Sequence, residues 1–434
     1  MRTTDYPESP LRISGERLLA DPSRVVLRPF HLGWQARTAD GNRAFRLVQD
    51  ILSLSEEQAE TEYRRVQHDF AERHWQTERM FLERYAEVEE VLGLGGSRFS
   101  EMRRKLIGSY FCHEYTYAAA ALMNPSIVPH PDQSGMSDGA CRFVMSLRAV
   151  GEGHISSIAF REGIMEEGGE FSLWPQSSFA TAADSAIAEV AGDQAVTVYR
   201  HSDSSLSNTV IFPVTEQQAG GLEDLRLVRF DHGDGDYEWI GTYTAYSGRA
   251  IRSELMRTRD FKSFSLEPIM GQAGRNKGMA LFPQKVGGRY AMVGRQDGKN
   301  LFLLTSDTLA CWDDEGALLM GPKYPWEFIQ IGNCGSPLLT EHGWLLFTHG
   351  VGAMRKYSLG CALLDRNDPS KVLARSKVPV LTAVDDDRSG YVPNVVYTCG
   401  ALLMGQELLV PYGISDSAVG FATCTVDELM QIME

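Results

Sequence analysis

The sequence predicts an all-β fold, a five-bladed β-propeller with an α-helical N-terminal extension, and three observations lead to this prediction. Residues 55–92 are rich in helix-forming side chains. From residue 124 onward, short apolar runs alternate with Gly, Asp, Asn and Ser. These runs recur at a spacing typical of four-stranded blades. We therefore expect an N-terminal segment and helical extension at residues 1–123 and the propeller at residues 124–434.

The composition is that of a globular protein with a substantial core. The chain has 434 residues, of which 43% are hydrophobic. Because no apolar window reaches the length of a membrane span and the N-terminal residues lack a secretory pattern, we expect a cytoplasmic protein with no membrane partner. The net charge of −15 argues against a nucleic-acid partner, since phosphate backbones require clustered Lys and Arg. The seven cysteines include no C-x-x-C pair, so we expect no metal site.

Two stretches predict the helical extension. Residues 55–92 contain no Gly or Pro and place apolar residues every three or four positions, which predicts one long helix or two joined ones. Ser55 and Gln58 have the spacing of a capping box, and Gly93 supplies a stop. Residues 100–123 predict a further helix. Such an amphipathic extension packs by default on its own chain, or alternatively on a second subunit in a homo-oligomer.

Five segments of the propeller region share one form. Each enters as a strand with an aromatic or apolar residue, leaves through a polar or Gly-rich turn, and is followed by a second strand. Their starting positions differ by 95, 52, 54 and 64 residues, close to the length of a propeller blade. The segments are RFVMSLRAVG (142–151), YEWIGTYTAYSG (237–248), RYAMVGRQDG (289–298), GWLLFTHGVG (343–352) and ELLVPYGISD (407–416).

Polar side chains stand at matching points of these segments. They are Arg148, Tyr246, Arg295, His349 and Asp416. Turns are exposed to solvent, so polar residues at the ends of strands are common in most proteins and need not form a site. In a propeller, however, the innermost strands line a channel whose mouth is the usual ligand site. We therefore expect these side chains to form a polar, funnel-shaped site.

The stretch GGLEDLRLVRF (220–230) concentrates charge at the entrance of a strand. Cleavage of a glycosidic bond needs an acid that protonates the leaving oxygen, and carboxylates beside aromatic residues suit sugar binding. Asp224 is the candidate acid, and Glu223 and Arg226 are placed to orient it or to set its pKa. The alternative is a salt bridge at the strand edge.

Basic side chains follow in three further stretches. A nucleophilic water would need a second carboxylate roughly 6.5–9.5 Å from the acid, whereas inorganic phosphate needs basic and hydroxyl donors. The alternative for each basic residue is a solvated surface charge. The candidates for an anion site are Arg249, Arg252, Arg275, Asn276, Lys277, Arg295, His349 and Tyr357.

Several motifs resemble, in order, those of glycoside hydrolase family 130, which comprises mannoside phosphorylases and β-mannosidases on a five-bladed propeller. They are GLEDLRL, YTAYSG, NKGMALFPQKVGGRYAMVGR, GWLLFTHG, YSLGCALLDRNDPSKVL, NVVYTCG and YGISD. The resemblance covers residues 124–434. Leu225 replaces the family's usual proline, and Gln284 stands where a glutamate is normal.

The resemblance implies roles for individual residues. Asp224 corresponds to the family's general acid, which acts through a sugar hydroxyl. The resemblance gives Asn124, Arg148 and Arg226 as sugar-binding residues, and the charged stretch, the strand ends and their turns add Glu223, Tyr246, Arg295, Asp297 and Asp416 to that expected set. The residues expected to bind phosphate are Arg249 or Arg252, Lys277, His349 and Tyr357.

The leading hypothesis is an inverting phosphorylase in which residues 124–434 form the catalytic domain. It cleaves a β-mannoside or small mannooligosaccharide to α-mannose 1-phosphate, with inorganic phosphate as co-substrate and no cofactor. An inverting β-mannosidase is the first alternative, with Asp297, Asp416 or Glu341 as the base that activates water. A non-catalytic sugar-binding propeller, assembled through its helical extension, is the second.

Overall fold

The computed structural model describes residues 9–32, 42–70, 72–74, 76–94, 99–190, 193–384 and 387–434. It divides into two compact units. The larger comprises residues 1–21, 118–176 and 183–434, and the smaller comprises residues 22–117 and 177–182. The described chain is mostly β, as predicted. None of the helices within these ranges is both long and apolar enough to cross a membrane.

In its described residues, the N-terminal part of the chain forms two strands, four helices and a third strand. They are β1 (Arg12–Leu19), β2 (Val25–Pro29), α1 (Arg43–Ser53), α2 (Glu56–Phe70), α3 (Thr77–Leu92), α4 (Glu101–Ser109) and β3 (Cys112–Thr116). The predicted helix over residues 55–92 is thus two helices. The Ser55–Gln58 capping box is present, because each residue's side chain accepts a hydrogen bond from the other's backbone N–H. Gly93 ends α3 with a φ of 64°.

The helix predicted over residues 100–123 is wrong beyond Ser109. The sequence YFCHEYTY (110–117) is dense in aromatic and β-branched residues, which favour an extended backbone. It forms β3, which pairs antiparallel with β2 within the smaller unit. The next strand, β4 (Ala121–Pro129), belongs to the larger unit.

The larger unit continues with strands that fall into five groups along the chain. The first is β4, β5 (Cys141–Val150), β6 (Ser156–Met165) and β7 (Phe171–Leu173), followed by β9 (Asp184–Val190), β10 (Asp193–Tyr199) and β11 (Thr209–Ile211). The short strand β8 (Thr181–Ala182), which precedes β9, belongs to the smaller unit. The second is β12 (Gly221–Gly233), β13 (Asp236–Tyr246), β14 (Ile251–Thr258) and β15 (Ser263–Pro268). The third is β16 (Ala280–Leu281), β17 (Tyr290–Gly294), β18 (Leu301–Ser306) and β19 (Ala317–Met320).

The last two groups complete the chain. The fourth is β20 (Gln330–Asn333), β21 (Leu338–Leu339), β22 (Trp344–Val351), β23 (Tyr357–Leu364), β24 (Val372–Arg375) and β25 (Leu381–Thr382). The fifth is β26 (Val396–Tyr397), β27 (Leu402–Met404), β28 (Glu407–Ile414) and β29 (Ala418–Thr425), followed by α5 (Val426–Met430). All five predicted strand pairs are antiparallel hairpins: β5–β6, β13–β14, β17–β18, β22–β23 and β28–β29.

Hydrogen bonding joins the first two groups into one sheet, through a parallel contact between Gly221 and Ser156 and through antiparallel pairing of β10 with β15. The other three groups form sheets of their own. Apolar side chains fill the space between successive groups. Val228, Phe230, Met292 and Trp312, for example, belong to one buried cluster that packs the second group on the third.

The N-terminal strand β1 completes the fifth group. It pairs antiparallel with β29, from Arg12 opposite Thr423 to Leu19 opposite Ala418. The compact units therefore divide the chain differently from the predicted boundary at residue 123, because β1 lies with the last strands of the chain. A strand pairing across some 400 residues leaves no local signal in the sequence.

Candidate active site

A cavity of about 480 Å³ opens in the larger unit and is lined mainly by polar side chains. Its lining comes from all five strand groups and their connecting turns. Ten of the predicted site residues line it: Asn124, Arg148, Glu223, Asp224, Asn276, Lys277, Arg295, His349, Tyr357 and Asp416. The remaining lining residues are Ile251, Gly298, Gln330, Arg355, Val392, Val395 and Tyr397.

Two β-bulges place polar side chains at the cavity wall. The register of β4 against β5 shifts between Met123 and Ser126, and that of β12 against β13 shifts between Glu223 and Arg226. Within these bulges Asn124 and Asp224 have left-handed backbones, with φ of 49° and 56°. A left-handed backbone costs a non-glycine residue roughly 1–2 kcal/mol, and such strain concentrates at functional sites. The charge at the entrance of β12 therefore stands where the strand bends toward the cavity.

The bulged residues belong to one hydrogen-bonded cluster. The Asn124 side-chain amide donates to Asp224 Oδ1 at 2.7 Å, and Arg148 donates to the same oxygen at 3.2 Å. Arg148 also donates to Glu223 Oε1 at 2.7 Å and to Ser156 Oγ at 2.9 Å. One guanidinium thus holds both carboxylates of the adjacent pair. This fixes Asp224 in a single orientation at the wall.

The three carboxylates of the cavity differ in acidity. Burial acts to raise the pKa of Asp224, but the positive charges of Arg148 and Arg226 outweigh it and hold that pKa below its usual range. Burial raises the pKa of Glu223 despite Arg148. Burial and the nearby charge of Asp224 raise the pKa of Asp416 to about 6. Asp224 is therefore ionised at neutral pH, whereas Asp416 titrates at about pH 6.

Arg226, predicted to bind sugar, lies beneath the cavity instead. It is 2% exposed and donates to the Cys334 carbonyl at 2.7 Å and to the Tyr397 hydroxyl at 2.6 Å. The bulge between Glu223 and Arg226 interrupts the strand alternation, so Asp224 faces the wall while Arg226, two residues on, turns inward. Its role is therefore to support the floor of the cavity.

The other part of the wall is basic. Lys277, Arg295 and His349 line it together with Tyr357, whose ring stacks on His349 with centroids 5.7 Å apart. His349 is 1% exposed, and its ring nitrogens make no hydrogen bond of ordinary geometry within the described ranges, although the Asn333 backbone lies close to the ring. Arg295 Nε likewise has no hydrogen-bond partner in the described part of the chain. Burial and the charge of Arg295 hold the pKa of His349 well below its usual value. Unpartnered donors beside positive charge are suited to an anionic ligand.

Close packing requires a glycine behind this basic wall. A Cβ on Gly332 would lie 2.3 Å from His349 Cε1 and 2.9 Å from Arg295 Cδ. Any side chain at this position would displace both residues. Gly332 therefore permits the two side chains to stand next to each other.

Five other predicted site residues lie outside the lining of the cavity, and one of them, Arg275, is exposed. Arg249 is exposed in the turn between β13 and β14, and Arg252 is held in ion pairs to Asp193 and Glu254, both at 2.7 Å. The Tyr246 hydroxyl donates to the Gly248 carbonyl. Asp297 accepts backbone hydrogen bonds within its own turn. The strand pattern located these turns correctly, but it did not determine which turn residue faces inward. Glu341, the remaining candidate base, is exposed and also lies outside the lining.

Two cavity residues that the sequence analysis missed are Arg355 and Tyr397. Arg355 follows Met354 in the turn between β22 and β23, and both have left-handed backbones. Tyr397 accepts the hydrogen bond from Arg226 and places its ring 4.8 Å from that of His349. The motif NVVYTCG contains Tyr397, but its alternation alone does not show which face meets the cavity.

A family model matches residues 200–434. It is that of glycoside hydrolase family 130, described as beta-1,4-mannooligosaccharide phosphorylase. The match includes Asp224, Lys277, His349 and Asp416. It spans more than half of the chain.

Named relatives and a solved structure agree with this match. A 1,2-beta-oligomannan phosphorylase of Thermoanaerobacter sp. (strain X514) is 33% identical over 228 residues, 52% of this chain and 75% of that relative. A beta-1,2-mannobiose phosphorylase of Listeria innocua is 30% identical over 230 residues, 52% of this chain and 63% of that relative. The solved structure of the Listeria innocua beta-1,2-mannobiose phosphorylase with beta-1,2-mannobiose gives a TM-score of 0.51 at 20% identity. It covers 72% of this chain and 91% of that one.

Proposed function

The chain belongs to glycoside hydrolase family 130, and from that premise we propose that it is an inverting phosphorylase that converts a β-mannoside and inorganic phosphate into α-mannose 1-phosphate. The predicted enzyme class, a phosphorylase or glycosidase acting on β-mannosides, is confirmed by the family match and by the named relatives. The observation that carries the finer proposal is a single cavity in which an oriented carboxylate cluster meets unpartnered basic side chains.

We propose that the larger unit folds as a five-bladed propeller. The five strand groups would be its blades, and β1 would close the ring by completing the blade formed by β28 and β29. In such a ring the turns after β5, β13, β17, β22 and β28 all lie on one face. The contribution of every group to the cavity lining supports this arrangement.

The carboxylate cluster is the proposed site of the mannosyl ring that is transferred. Asn124, Arg148 and Glu223 offer a donor amide, a guanidinium and an acceptor carboxylate to the sugar hydroxyls. Their mutual hydrogen bonds organise these groups before the sugar arrives. Preorganised polar groups favour the transition state because they need no reorientation during the reaction.

Asp224 is the proposed proton donor, and the leaving oxygen or a sugar hydroxyl next to it receives the proton. The donor has to be protonated when the bond breaks, yet the positive charges of Arg148 and Arg226 favour the ionised form of Asp224. A bound phosphate dianion would oppose these positive charges and raise the pKa of Asp224. Proton donation would then depend on phosphate.

The basic wall is the proposed phosphate site. Lys277 and Arg295 supply positive charge, and His349 and Tyr357 supply hydrogen-bond donors. In an inverting reaction a phosphate oxygen attacks the anomeric carbon on the face opposite to the departing oxygen. The new bond to phosphate forms as the glycosidic bond breaks, the leaving sugar takes the proton, and the β-mannoside becomes an α-phosphate. Neither metal nor organic cofactor has a part in this reaction.

Hydrolysis by the same cavity is the second candidate, and one observation favours it. Asp416 lines the cavity with a pKa of about 6, so at neutral pH it is mostly ionised and basic enough to activate water. Of the three candidate bases, only Asp416 is in the lining, since Asp297 and Glu341 are exposed outside it. A non-catalytic propeller remains the third candidate, and no observation of the site favours it.

One incubation series tests the proposal. The purified protein is supplied with β-1,2- or β-1,4-linked mannobiose, with and without phosphate, and the products are identified by chromatography. The names of the two relatives make β-1,2-mannobiose the first substrate to try. Phosphate-dependent formation of a mannose phosphate supports the phosphorylase. Release of mannose alone supports the hydrolase, and intact substrate under all conditions supports the binding protein.

The cytoplasmic location and a homo-oligomer formed through the helices stay predictions.

A further inference from the structure

Two exposed aromatic rings from distant parts of the larger unit meet beside the cavity. Tyr391 is 54% exposed, and His154 is also exposed. Their ring centroids are 5.8 Å apart, and the planes are inclined by 31°. The Tyr391 hydroxyl lies 3.4 Å from His154 Nδ1. Burial stabilises a solvent-exposed ring pair only slightly, so packing alone does not explain why the two rings meet beside the cavity.

Backbone hydrogen bonds attach Tyr391 to the turn that carries Asp416. The Tyr391 N–H donates to Ser417 Oγ at 2.6 Å, and the Val392 N–H donates to the Ser415 carbonyl at 3.0 Å. Val392 and Asp416 both line the cavity. Tyr391 therefore stands at the rim on the side of Asp416, one residue from the lining.

His154 reaches the rim from the turn between β5 and β6. This turn is closed by the Gly151 N–H, which donates to the Ile155 carbonyl at 3.1 Å, and His154 has a left-handed φ of 60°. The preceding strand carries Arg148, the guanidinium that holds Asp224 and Glu223. A strained non-glycine residue in this turn presents its ring at the rim rather than in the core.

Displacement chemistry indicates which part of the substrate meets this ring pair. In an inverting reaction the nucleophile and the leaving group occupy opposite faces of the anomeric carbon. If phosphate binds at Lys277, Arg295 and His349, the leaving sugar departs toward the carboxylates and the rim beyond them. A sugar at a solvent-open rim binds best through its apolar face on an aromatic ring, since its hydroxyls are already hydrated.

We propose that His154 and Tyr391 form a platform on which the leaving-group mannosyl residue stacks, and that this platform favours a saccharide over a small alcohol as leaving group. The inference rests on the proposed function, because it takes the cavity to hold the transferred mannosyl ring. The platform binds the acceptor in the reverse reaction as well, since the same site is used in both directions.

The test measures the reverse reaction, with α-mannose 1-phosphate as donor and mannose or β-1,2-mannobiose as acceptor. Tyr391→Ala is expected to raise KM for both acceptors by about five- to tenfold, the size of one aromatic stacking contact. His154→Ala has a smaller effect in the same direction. Tyr391→Phe retains the ring and keeps KM near the wild-type value. KM for α-mannose 1-phosphate stays unchanged in all three variants.

Tyr199→Ala is the matched control, because Tyr199 is 47% exposed and lies outside the cavity lining. Unchanged acceptor KM in both Tyr391→Ala and His154→Ala would overturn the platform while leaving phosphorolysis intact. If the wild type forms no phosphorylated product, the proposed function fails instead. Calorimetric binding of β-1,2-mannobiose then decides the platform alone, with equal affinity of wild type and Tyr391→Ala as the contradicting result.

Discussion

The side-chain amide of Asn124 donates a 2.7 Å hydrogen bond to Asp224 Oδ1, and each of the two residues occupies a β-bulge with a left-handed backbone. They are a hundred residues apart, in β4 and β12. The backbone is thus strained in two separate strands at the point where one amide and one carboxylate come together. Such paired strain is expected where a side chain has to be held in one orientation for chemistry.

Replacement of the proposed acid should remove turnover without removing binding. Asp224→Asn is expected to lower kcat by about 10²- to 10⁴-fold, because the amide cannot donate the proton that the leaving oxygen needs. Calorimetric affinity for β-1,2-mannobiose should stay comparable to that of the wild type, since the shape and the hydrogen bond with Asn124 can be kept. Asp297→Asn, in an exposed turn, serves as the control and should retain full activity.

Asp416→Asn separates the two candidate activities. If the enzyme uses phosphate, this variant should weaken sugar binding and keep a measurable kcat. If water is the nucleophile, loss of the base should lower kcat as severely as Asp224→Asn does. The comparison of the two variants under saturating phosphate therefore shows whether one carboxylate or two take part in proton transfer.

The phosphate site should respond to the loss of one positive charge. Lys277→Ala is expected to raise KM for phosphate by about 10- to 100-fold, the usual value of a hydrogen bond to a charged group. KM for the mannoside should change much less. Arg249→Ala is the matched control, because Arg249 is exposed outside the cavity lining. Equal increases in both Michaelis constants would assign Lys277 a structural role.

The raised pKa of Asp416 makes a prediction about stability. Its pKa is about 6 in the folded protein, above the ordinary value of 3.8. The folded state therefore holds the proton more tightly, and this contribution to stability is complete below pH 3.8 and is lost as pH rises toward 6. Asp416→Asn should raise the free energy of unfolding at pH 7 by about 1–2 kcal/mol and leave it nearly unchanged at pH 4. Denaturant titrations of the wild type and Asp416→Asn at both pH values measure the change in the free energy of unfolding. An increase at pH 4 but not at pH 7 would contradict the prediction.

The buried contact below the cavity makes a second stability prediction. Tyr397→Phe removes the hydroxyl that accepts the Arg226 hydrogen bond and leaves a buried guanidinium donor unpaired. We expect a loss of about 1–3 kcal/mol in the free energy of unfolding, the usual cost of an unsatisfied buried polar group. Tyr246→Phe is the control, since the Tyr246 hydroxyl bonds only within an exposed turn and its loss should be nearly neutral. A similar effect of both substitutions would rule out a special role for the buried pair.

The sequence predicted much of the β region because its information there is local. Alternating apolar residues and Gly-rich turns predicted the five hairpins, which the structure confirms. Local patterns do not show which strands pair when they are far apart in the sequence. The strand β1 pairs with the last strand of the chain, and the stretch at residues 110–117, assigned to a helix, extends to pair with β2. Tertiary partners, rather than local propensity, determine both elements.

The site was predicted residue by residue with uneven success. Strand ends located Arg148, Arg295, His349 and Asp416 in the lining, because a strand presents every second side chain to the same face. The turn residues that face the cavity were harder to predict, because the backbone conformation of a single residue decides which side chain points inward. Arg249 points to solvent, whereas Arg355, in a left-handed turn, lines the cavity.

The measurement that tests the central claim most directly follows β-1,2-mannobiose by proton and phosphorus NMR during reaction with the wild-type protein. The proposal predicts that α-mannose 1-phosphate is the first mannosyl product, that its appearance requires inorganic phosphate, and that mannose accumulates in equal amount. Release of two equivalents of mannose at the same rate without phosphate, or formation of the β-phosphate, would contradict it.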